Sequence, residues 1–250
     1  MKIVFHERFT EVYSTDPASQ PGRMEAIMKE LTGLFDVVEP QMASYNDLLL
    51  AHSKSHIERI KKDHHVFEIA SLSAGGAILC AKIAKEGEPS FGVIRPPGHH
   101  AGYDSHWGFC YFNNIAIAIK KLMSLKEIES ALIVDFDLHF GDGTANIFKK
   151  TKEVTYYHVP GGDRINQLKS LEQFLEKEKT YSILAVSAGF DRAKKDWGGT
   201  LEIEDYSLIG ELLKNASERI CRGLRFAVLE GGYNHSVLGK NVLSFIEGFK

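Results

Sequence analysis

Short apolar runs alternate with helical patterns along the whole chain, and this alternation constrains the fold more than any other feature. Several runs are apolar at consecutive positions, as expected of strands covered on both faces. There are seven such runs: Ile3–Phe5, Val37–Val38, Phe91–Ile94, Ala131–Val134, Val154–Tyr157, Ile183–Val186 and Phe226–Leu229. Alternating strands and helices imply right-handed crossovers and a mainly parallel sheet. We therefore predict one α/β domain, a mainly parallel sheet flanked by helices, over residues 1–250.

Composition is that of an ordinary globular protein, with 44% hydrophobic and 25% charged residues. The formal net charge of −3 argues against non-specific binding to nucleic acid or to an anionic membrane. Unbroken apolar runs such as Ile115–Ile119 reach only five residues, so no membrane span is expected. The three cysteines are widely spaced and form no CxxC pair, which predicts a reduced, cytoplasmic protein.

Reactive side chains follow four of the predicted strands. They lie in the segments Arg95–Gly102, Asp135–Gly143, Ser187–Asp191 and Glu230–Asn234. Ligands of open parallel sheets bind beyond the carboxyl ends of the strands, where these four segments would meet. The sequence therefore predicts a functional site at that edge of the sheet.

The segment after the fourth strand carries the pattern of a metal site. In an extended chain Asp135, Asp137 and His139 point to one side, because side chains alternate. Asp191, after another strand, offers a further carboxylate. Two carboxylates, one imidazole and an open position are typical of catalytic zinc. An acidic loop that caps the next helix is the alternative; it accounts for Asp142 but not for the Asp-x-Asp-x-His pattern.

Two adjacent histidines, His99 and His100, form a poor chelate but suit two proton-handling roles around one bound water. Each needs a partner that fixes its tautomer, and Asp135 and Asp142 are available carboxylates. Tyr233 lies on a glycine-rich turn, from which its hydroxyl can reach a polarised carbonyl. A core tyrosine with a satisfied hydroxyl is the alternative interpretation of that residue.

Five motifs together resemble the histone deacetylase family, nearest to its class II-like deacetylases and the acetylpolyamine amidohydrolases. They are RPPGHHA at 95–101, WGFCYFNN at 107–114, VDFDLHFGDGT at 134–144, SAGFD at 187–191 and LEGGYN at 229–234. The motifs occur in the family's order. The resemblance implies an arginase–deacetylase-like α/β fold with the site at the carboxyl edge of its sheet.

The resemblance also implies the metals. Asp137, His139 and Asp191 would bind zinc, with ferrous iron as the alternative ion. The family's structural potassium would use oxygens of Asp135, Asp137 and His139. The Ser-Leu pair that supplies further potassium ligands in the family is missing around 156–158, so the sequence leaves potassium open.

The catalytic roles follow from the same motifs. His99 would form a relay with Asp135, and His100 a relay with Asp142. One or both histidines would act as general base and acid. Tyr233 would donate a hydrogen bond to the substrate carbonyl.

The substrate tunnel is expected to be short. Gly108 and Phe109 would line it, with Phe109 as an aromatic wall. The chain lacks the family's long rim loop within 57–70 and is compressed at 160–168, and Phe140 replaces a second histidine found in many members. Fewer rim contacts predict modest substrate discrimination, and the loss of a dimerisation arm favours a monomer.

The expected reaction is hydrolysis of an acetyl or short acyl amide on a primary amine. The substrate would be an acetylated lysine peptide, an acetylpolyamine or a small acetylated amine, with no nucleic acid or membrane partner. An arginase-like dinuclear hydrolase is one alternative, but it would require a second carboxylate where this chain has Ala193. A non-catalytic binder of acylated ligands is the other.

Overall fold

Each of the seven apolar runs contributes a strand in the computed structural model, which describes residues 1–250. The strands are β1 (Lys2–Val4), β2 (Asp36–Val38), β3 (Ser90–Gly92), β4 (Ala131–Asp135), β5 (Val154–His158), β6 (Ile183–Ala188) and β7 (Arg225–Leu229). They form one sheet in the order β2-β1-β3-β7-β6-β4-β5, and all neighbouring pairs are parallel. The predicted parallel α/β fold is confirmed.

Nine α-helices connect and cover the strands. They are α1 (Arg23–Leu31), α2 (Tyr45–Leu48), α3 (Lys54–Ile60), α4 (His64–Lys85), α5 (Asn114–Ser124), α6 (Asp142–Phe148), α7 (Arg164–Glu176), α8 (Ile203–Cys221) and α9 (His235–Phe249). Side-chain caps begin several of them: Asn113 accepts from the Ala116 amide and Asp163 from the Asn166 amide. Such caps satisfy amides that have no partner within the helix.

The helix α4 is a core helix of this fold. By length and composition it alone could cross a membrane, but 72% of its most apolar window is buried inside the fold. It packs against α5 and against β3 and β7. Its small residues allow close approach: a Cβ at Gly75 would lie 1.8 Å from the Gln41 carbonyl oxygen. The apolar residues of α4 therefore pack within the protein core.

Four neighbouring strands deliver the reactive segments to one edge. The strands β3, β7, β6 and β4 are consecutive in the sheet. All their residues are buried, so the strands are covered on both faces. Because they are parallel, their carboxyl ends meet, and the four predicted segments converge there.

Candidate active site

Asp137, His139 and Asp191 form a compact group at this edge. One potential ligand atom from each lies within 4.8 Å of the others. The two aspartates are buried, whereas the His139 side chain is 39% exposed. His139 Nδ1 lies 3.3 Å from Asp137 Oδ1 and 3.1 Å from Asp191 Oδ2. The structure therefore brings together the three residues for which metal binding was predicted.

The electrostatics of this group fit a divalent cation. Asp191 Oδ2 is buried and makes no hydrogen bond, although His139 is near. Burial and the charge of Asp137 raise the pKa of Asp191 to about 6. The nearby carboxylates of Asp137 and Asp191 raise the pKa of His139 to about 10. Crowded carboxylates with an orphaned oxygen are stabilised by a cation, and this donor set is one that zinc accepts with a position left open.

The carboxylates of Asp137 and Asp191 pack closely against two glycines, Gly189 and Gly231. A Cβ at Gly189 would lie 2.1 Å from Asp137 Oδ2. A Cβ at Gly231 would lie 2.6 Å from the same oxygen and 2.8 Å from Asp191 Oδ2. Gly231 also donates its amide to Asp137 Oδ2 at 2.8 Å. Neither position accommodates a side chain without displacing a proposed ligand.

The predicted extended geometry of the segment after β4 is wrong. Residues 137–139 bend, because Asp135 Oδ1 accepts from the Asp137 amide and Asp137 Oδ1 accepts from the His139 amide. Such local side-chain bonds compete with extended structure. As a result Asp137 and His139 face Asp191, whereas Asp135 faces His99.

Both expected histidine–aspartate pairs are formed. His99 Nδ1 lies 3.0 Å from Asp135 Oδ2, and His100 Nδ1 lies 2.7 Å from Asp142 Oδ1. The two imidazoles are themselves neighbours, with ring centroids 4.1 Å apart. In each ring the bonded Nδ1 leaves Nε2 available to a ligand. Asp142 is the first residue of α6 and not its N-cap, which is Gly141.

The two imidazoles have opposite electrostatic environments. Burial disfavours the charged form of His99, but Asp137 and Asp135 outweigh it and raise the pKa of His99 well above its usual value. For His100, burial and the neighbouring His99 lower the pKa to about 4. Two adjacent groups of one type thus differ in proton affinity, as an acid and a base acting on one substrate must.

A small cavity of about 110 Å³ opens above these groups. Its lining is Pro97, His99, His100, Trp107, Gly108, Phe109, His139, Trp197, Gly231 and Tyr233. The Tyr233 ring stacks on Trp197 at 4.1 Å and meets Phe109 edge-on at 5.9 Å. Burial, then Asp137 and Asp191, raise the pKa of Tyr233 well above its usual value, so its hydroxyl remains a donor.

The Gly108–Phe109 turn shapes one wall of the cavity. Both residues have positive φ, 58° and 66°. A Cβ at Gly108 would lie 2.4 Å from the His100 ring, so glycine is required by contact as well as by conformation. A phenylalanine in the left-handed region is uncommon and is found where the surrounding structure imposes it.

Comparison with known proteins identifies the family. A model of the histone deacetylase domain matches residues 17–160, more than half of the chain. The chain belongs to the histone deacetylase family. A probable deacetylase of Methanothermobacter thermautotrophicus is 32% identical over 91% of this chain and 84% of that protein. The prediction of this family, and of a hydrolytic deacetylase enzyme, is confirmed.

Other similar proteins extend the likeness beyond residue 160. A probable deacetylase of Archaeoglobus fulgidus is 30% identical over 93% of this chain and 81% of that protein. A histone deacetylase-like amidohydrolase of Pseudomonas aeruginosa is 27% identical over 87% and 71%. The crystal structure of the HDA15 HD domain matches with a TM-score of 0.82 at 22% identity, covering 100% of this chain and 90% of that one. That structure supports the shared fold.

Several residues that organise this histone deacetylase-family site received no role from the sequence. Glu230 is fully buried and accepts from the amides of Gly98 and His99 at 2.6 and 3.2 Å. Asp196 accepts from the Tyr233 and Asn234 amides, both at 2.7 Å. Glu230 lies inside the LEGGYN motif, which offered a signal; Asp196 lies outside every motif.

Two tryptophans, Trp107 and Trp197, form part of the rim of the cavity. Trp107 and Trp197 are each 53% exposed and line the cavity. The Trp107 ring lies over His100, with centroids 3.8 Å apart and planes tilted by 35°. Its Nε1 hydrogen is donated to both carboxylate oxygens of Asp142, at 3.1 and 3.0 Å. Trp107 thus covers the His100–Asp142 pair from the solvent side.

Proposed function

We propose that this enzyme is a zinc-dependent amidohydrolase that removes acetyl or short acyl groups from lysine side chains or other primary amines. The observation that carries the proposal is convergence on one cavity. The group Asp137, His139 and Asp191, both histidine–aspartate pairs and Tyr233 all meet there. Zinc held by the three ligands would polarise the scissile carbonyl and lower the pKa of a bound water. Ferrous iron is the alternative ion.

The chain's own groups account for the proton transfers. With Nδ1 held by a carboxylate, the Nε2 atom of a neutral imidazole accepts a proton from the attacking water. The neighbouring imidazolium then protonates the leaving amine. Tyr233 donates to the oxygen of the tetrahedral intermediate, where charge develops. The aromatic rings of Phe109 and Trp197 form apolar walls for an alkyl chain.

Two alternatives predict different metal content and turnover. An arginase-like dinuclear hydrolase would need a further carboxylate at position 193, which is a buried alanine. A non-catalytic binder would not need two complete proton relays. One metal ion per chain, with turnover of a fluorogenic acetyl-lysine substrate, supports the proposal. Two ions per chain, or ligand binding without turnover, would contradict it.

The direct test of the metal site removes one ligand. Asp191→Ala should lose most bound metal and most activity together, because it deletes one of three ligands. Chelation of the wild type should abolish turnover, and zinc should restore it. The control is Asp163→Ala, which removes an exposed N-cap of α7 away from the cavity. Full metal content in the Asp191 variant would refute the assignment.

We propose broad substrate use by a monomeric, cytoplasmic enzyme. Only residues 61–63 separate α3 from α4, and only 159–163 separate β5 from α7, so little chain is available for a rim. Remote contacts supply binding energy that orients the reacting group, and a short rim supplies less. Acetyl-lysine peptides, acetylpolyamines and small acetylated amines should therefore differ less than about tenfold in kcat/KM when compared side by side. A preference above about a hundredfold, or a stable dimer by light scattering, would contradict the proposal.

A further inference from the structure

Oxygens of Asp135 and Asp137, two of the three residues that the family resemblance assigns to a structural potassium, are already hydrogen bonded here. The Asp137 carbonyl oxygen accepts from Arg192 Nε at 3.0 Å and from Nη2 at 2.9 Å. His158 Nε2 lies 3.0 Å from the same oxygen. The Asp135 carboxylate is bonded to His99, to the Tyr156 hydroxyl and to the Asp137 amide. These donors and a potassium ion compete for the same lone pairs.

Arg192 lies in the protein interior, where it makes this contact. The residue is 1% exposed and directly follows Asp191, a proposed metal ligand. Its Nη2 also donates to the Val159 carbonyl at 2.6 Å. Its Nη1 donates to the Pro160 carbonyl at 3.1 Å and to the Gln167 side chain at 2.9 Å. A buried guanidinium with every nitrogen bonded is an ordered part of the structure.

The electrostatic surroundings explain why a cation is needed here. The carboxylates of Asp135, Asp137 and Asp191 are buried close together. Buried charges are costly unless they are compensated. Burial lowers the pKa of the Arg192 guanidinium, and the charges of all three carboxylates oppose that effect. An arginine stays charged in such a setting. It also donates hydrogen bonds to the backbone carbonyl of Asp137, which is itself a proposed metal ligand.

The departures from the family pattern at 156–158 fit the same arrangement. Where the family has a Ser-Leu pair, Tyr156 donates its hydroxyl to Asp135 Oδ2 at 2.8 Å and accepts from the Gly141 amide at 2.9 Å. His158 contacts the Asp137 carbonyl. Side chains of this protein thus occupy the lone pairs that would otherwise face an ion.

We propose that the Arg192 guanidinium replaces the structural potassium and positions the metal ligand Asp137, so that the active site is independent of monovalent cations. Arg192 is a positioning residue, because it acts through Asp137 and does not line the cavity. The inference rests on the proposed metal site. Measurements on metal-free protein distinguish its failure from a failure of the proposed function.

The first test is thermal unfolding of the metal-free protein in potassium chloride and in tetramethylammonium chloride at equal ionic strength. The wild type should show no difference in Tm, since the Asp137 carbonyl and the Asp135 carboxylate already have hydrogen-bond donors. A saturable rise of Tm with potassium in the wild type would overturn the proposal. This measurement requires no variant, so it stands even if a substitution at Arg192 prevents folding.

The second test uses Arg192→Ala and the more conservative Arg192→Lys, with Co²⁺ as a spectroscopic probe of the metal site. Loss of an outer partner of a metal ligand typically weakens metal binding about 10- to 100-fold. We expect a loss of that size for Arg192→Ala, partly restored by potassium, and a smaller loss for Arg192→Lys. Unchanged Co²⁺ affinity, or no potassium response in the alanine variant, would overturn the proposal.

Arg225 provides a matched control at the opposite end of the sheet. It is a buried arginine that donates to the Phe249 carbonyl at 2.8 Å and to the Gly223 carbonyl at 3.0 Å. Arg225→Ala should lower Tm, since it also leaves carbonyls without a partner, yet it should retain Co²⁺ affinity and gain no potassium response. An equal loss of Co²⁺ affinity in this control would reduce the Arg192 effect to general destabilisation and contradict the proposal.

Discussion

The two histidine–aspartate pairs are similar in chemistry and differ in how the protein holds them. In the inner pair both side chains are buried, His99 at 4% and Asp135 at 0% exposure. In the outer pair Asp142 is 41% exposed, although His100 is 4% exposed. The inner carboxylate is tied down by Tyr156 and the backbone, whereas the outer one is held by Trp107 at the rim. The core thus determines the geometry of the inner pair, and a rim residue determines that of the outer pair.

Removing the two carboxylates separately should give the largest contrast. Asp135→Asn should lower kcat by roughly 10²–10⁴-fold, the usual range for general acid–base catalysis, and should also lower Tm. It loses stability because a neutral amide cannot accept all the buried hydrogen bonds of the carboxylate. Asp142→Asn should lower kcat within the same range with little change in Tm, since that carboxylate is half-exposed.

The measurements are steady-state kinetics and thermal unfolding of both variants, with metal content as the control. Equal losses of Tm would contradict the distinction between a pair fixed by the core and a pair fixed by the rim. The corresponding variants His99→Ala and His100→Ala should also each lose roughly 10²–10⁴-fold in kcat. A loss confined to one of them would identify the working base.

Tyr233→Phe should leave both pairs intact and still reduce activity. The change deletes the proposed oxyanion donor and keeps the ring that stacks on Trp197. Loss of such a donor lowers kcat roughly 10²–10³-fold, with KM and metal content unchanged. Trp197→Phe is the matched control, because it alters the same aromatic wall without removing the hydroxyl. An unchanged kcat in Tyr233→Phe would make this tyrosine purely structural.

The sequence could predict the strands and the site residues, but not the local backbone path that orients those residues. The strands were predictable because buried parallel strands are continuously apolar, and the site residues because their motifs follow those strands. The local path of Asp135–His139 was not, because side-chain bonds to the backbone replaced the extended geometry.

Residues that only support the site were still harder to predict from the sequence. Arg192, Asp196 and Trp107 are residue types that occur on any surface, and no periodicity distinguishes them. Their roles depend on which distant groups the fold brings to them, such as the Val159 carbonyl for Arg192 and the Asp142 carboxylate for Trp107. Only tertiary structure supplies those partners.

The smallest expected effect tests the rim's hold on the outer pair. Trp107→Phe retains an aromatic ring over His100 but removes the indole donor that Asp142 accepts. With one donor fewer, the carboxylate interacts more strongly with the His100 imidazolium, so the pKa of His100 should rise from its value of about 4.

If His100 is the base, a higher pKa keeps it protonated to a higher pH, and the acid limb of the kcat/KM profile should move to higher pH. The rate at neutral pH should change by less than about tenfold, because both histidines and the proposed metal ligands remain. A pH profile from 4 to 8 checks this, with Trp197→Phe as the control, since that tryptophan is equally exposed and makes no bond to Asp142. An unmoved acid limb in Trp107→Phe, or an equal shift in the control, would mean that the outer pair is held as firmly by the core as the inner one.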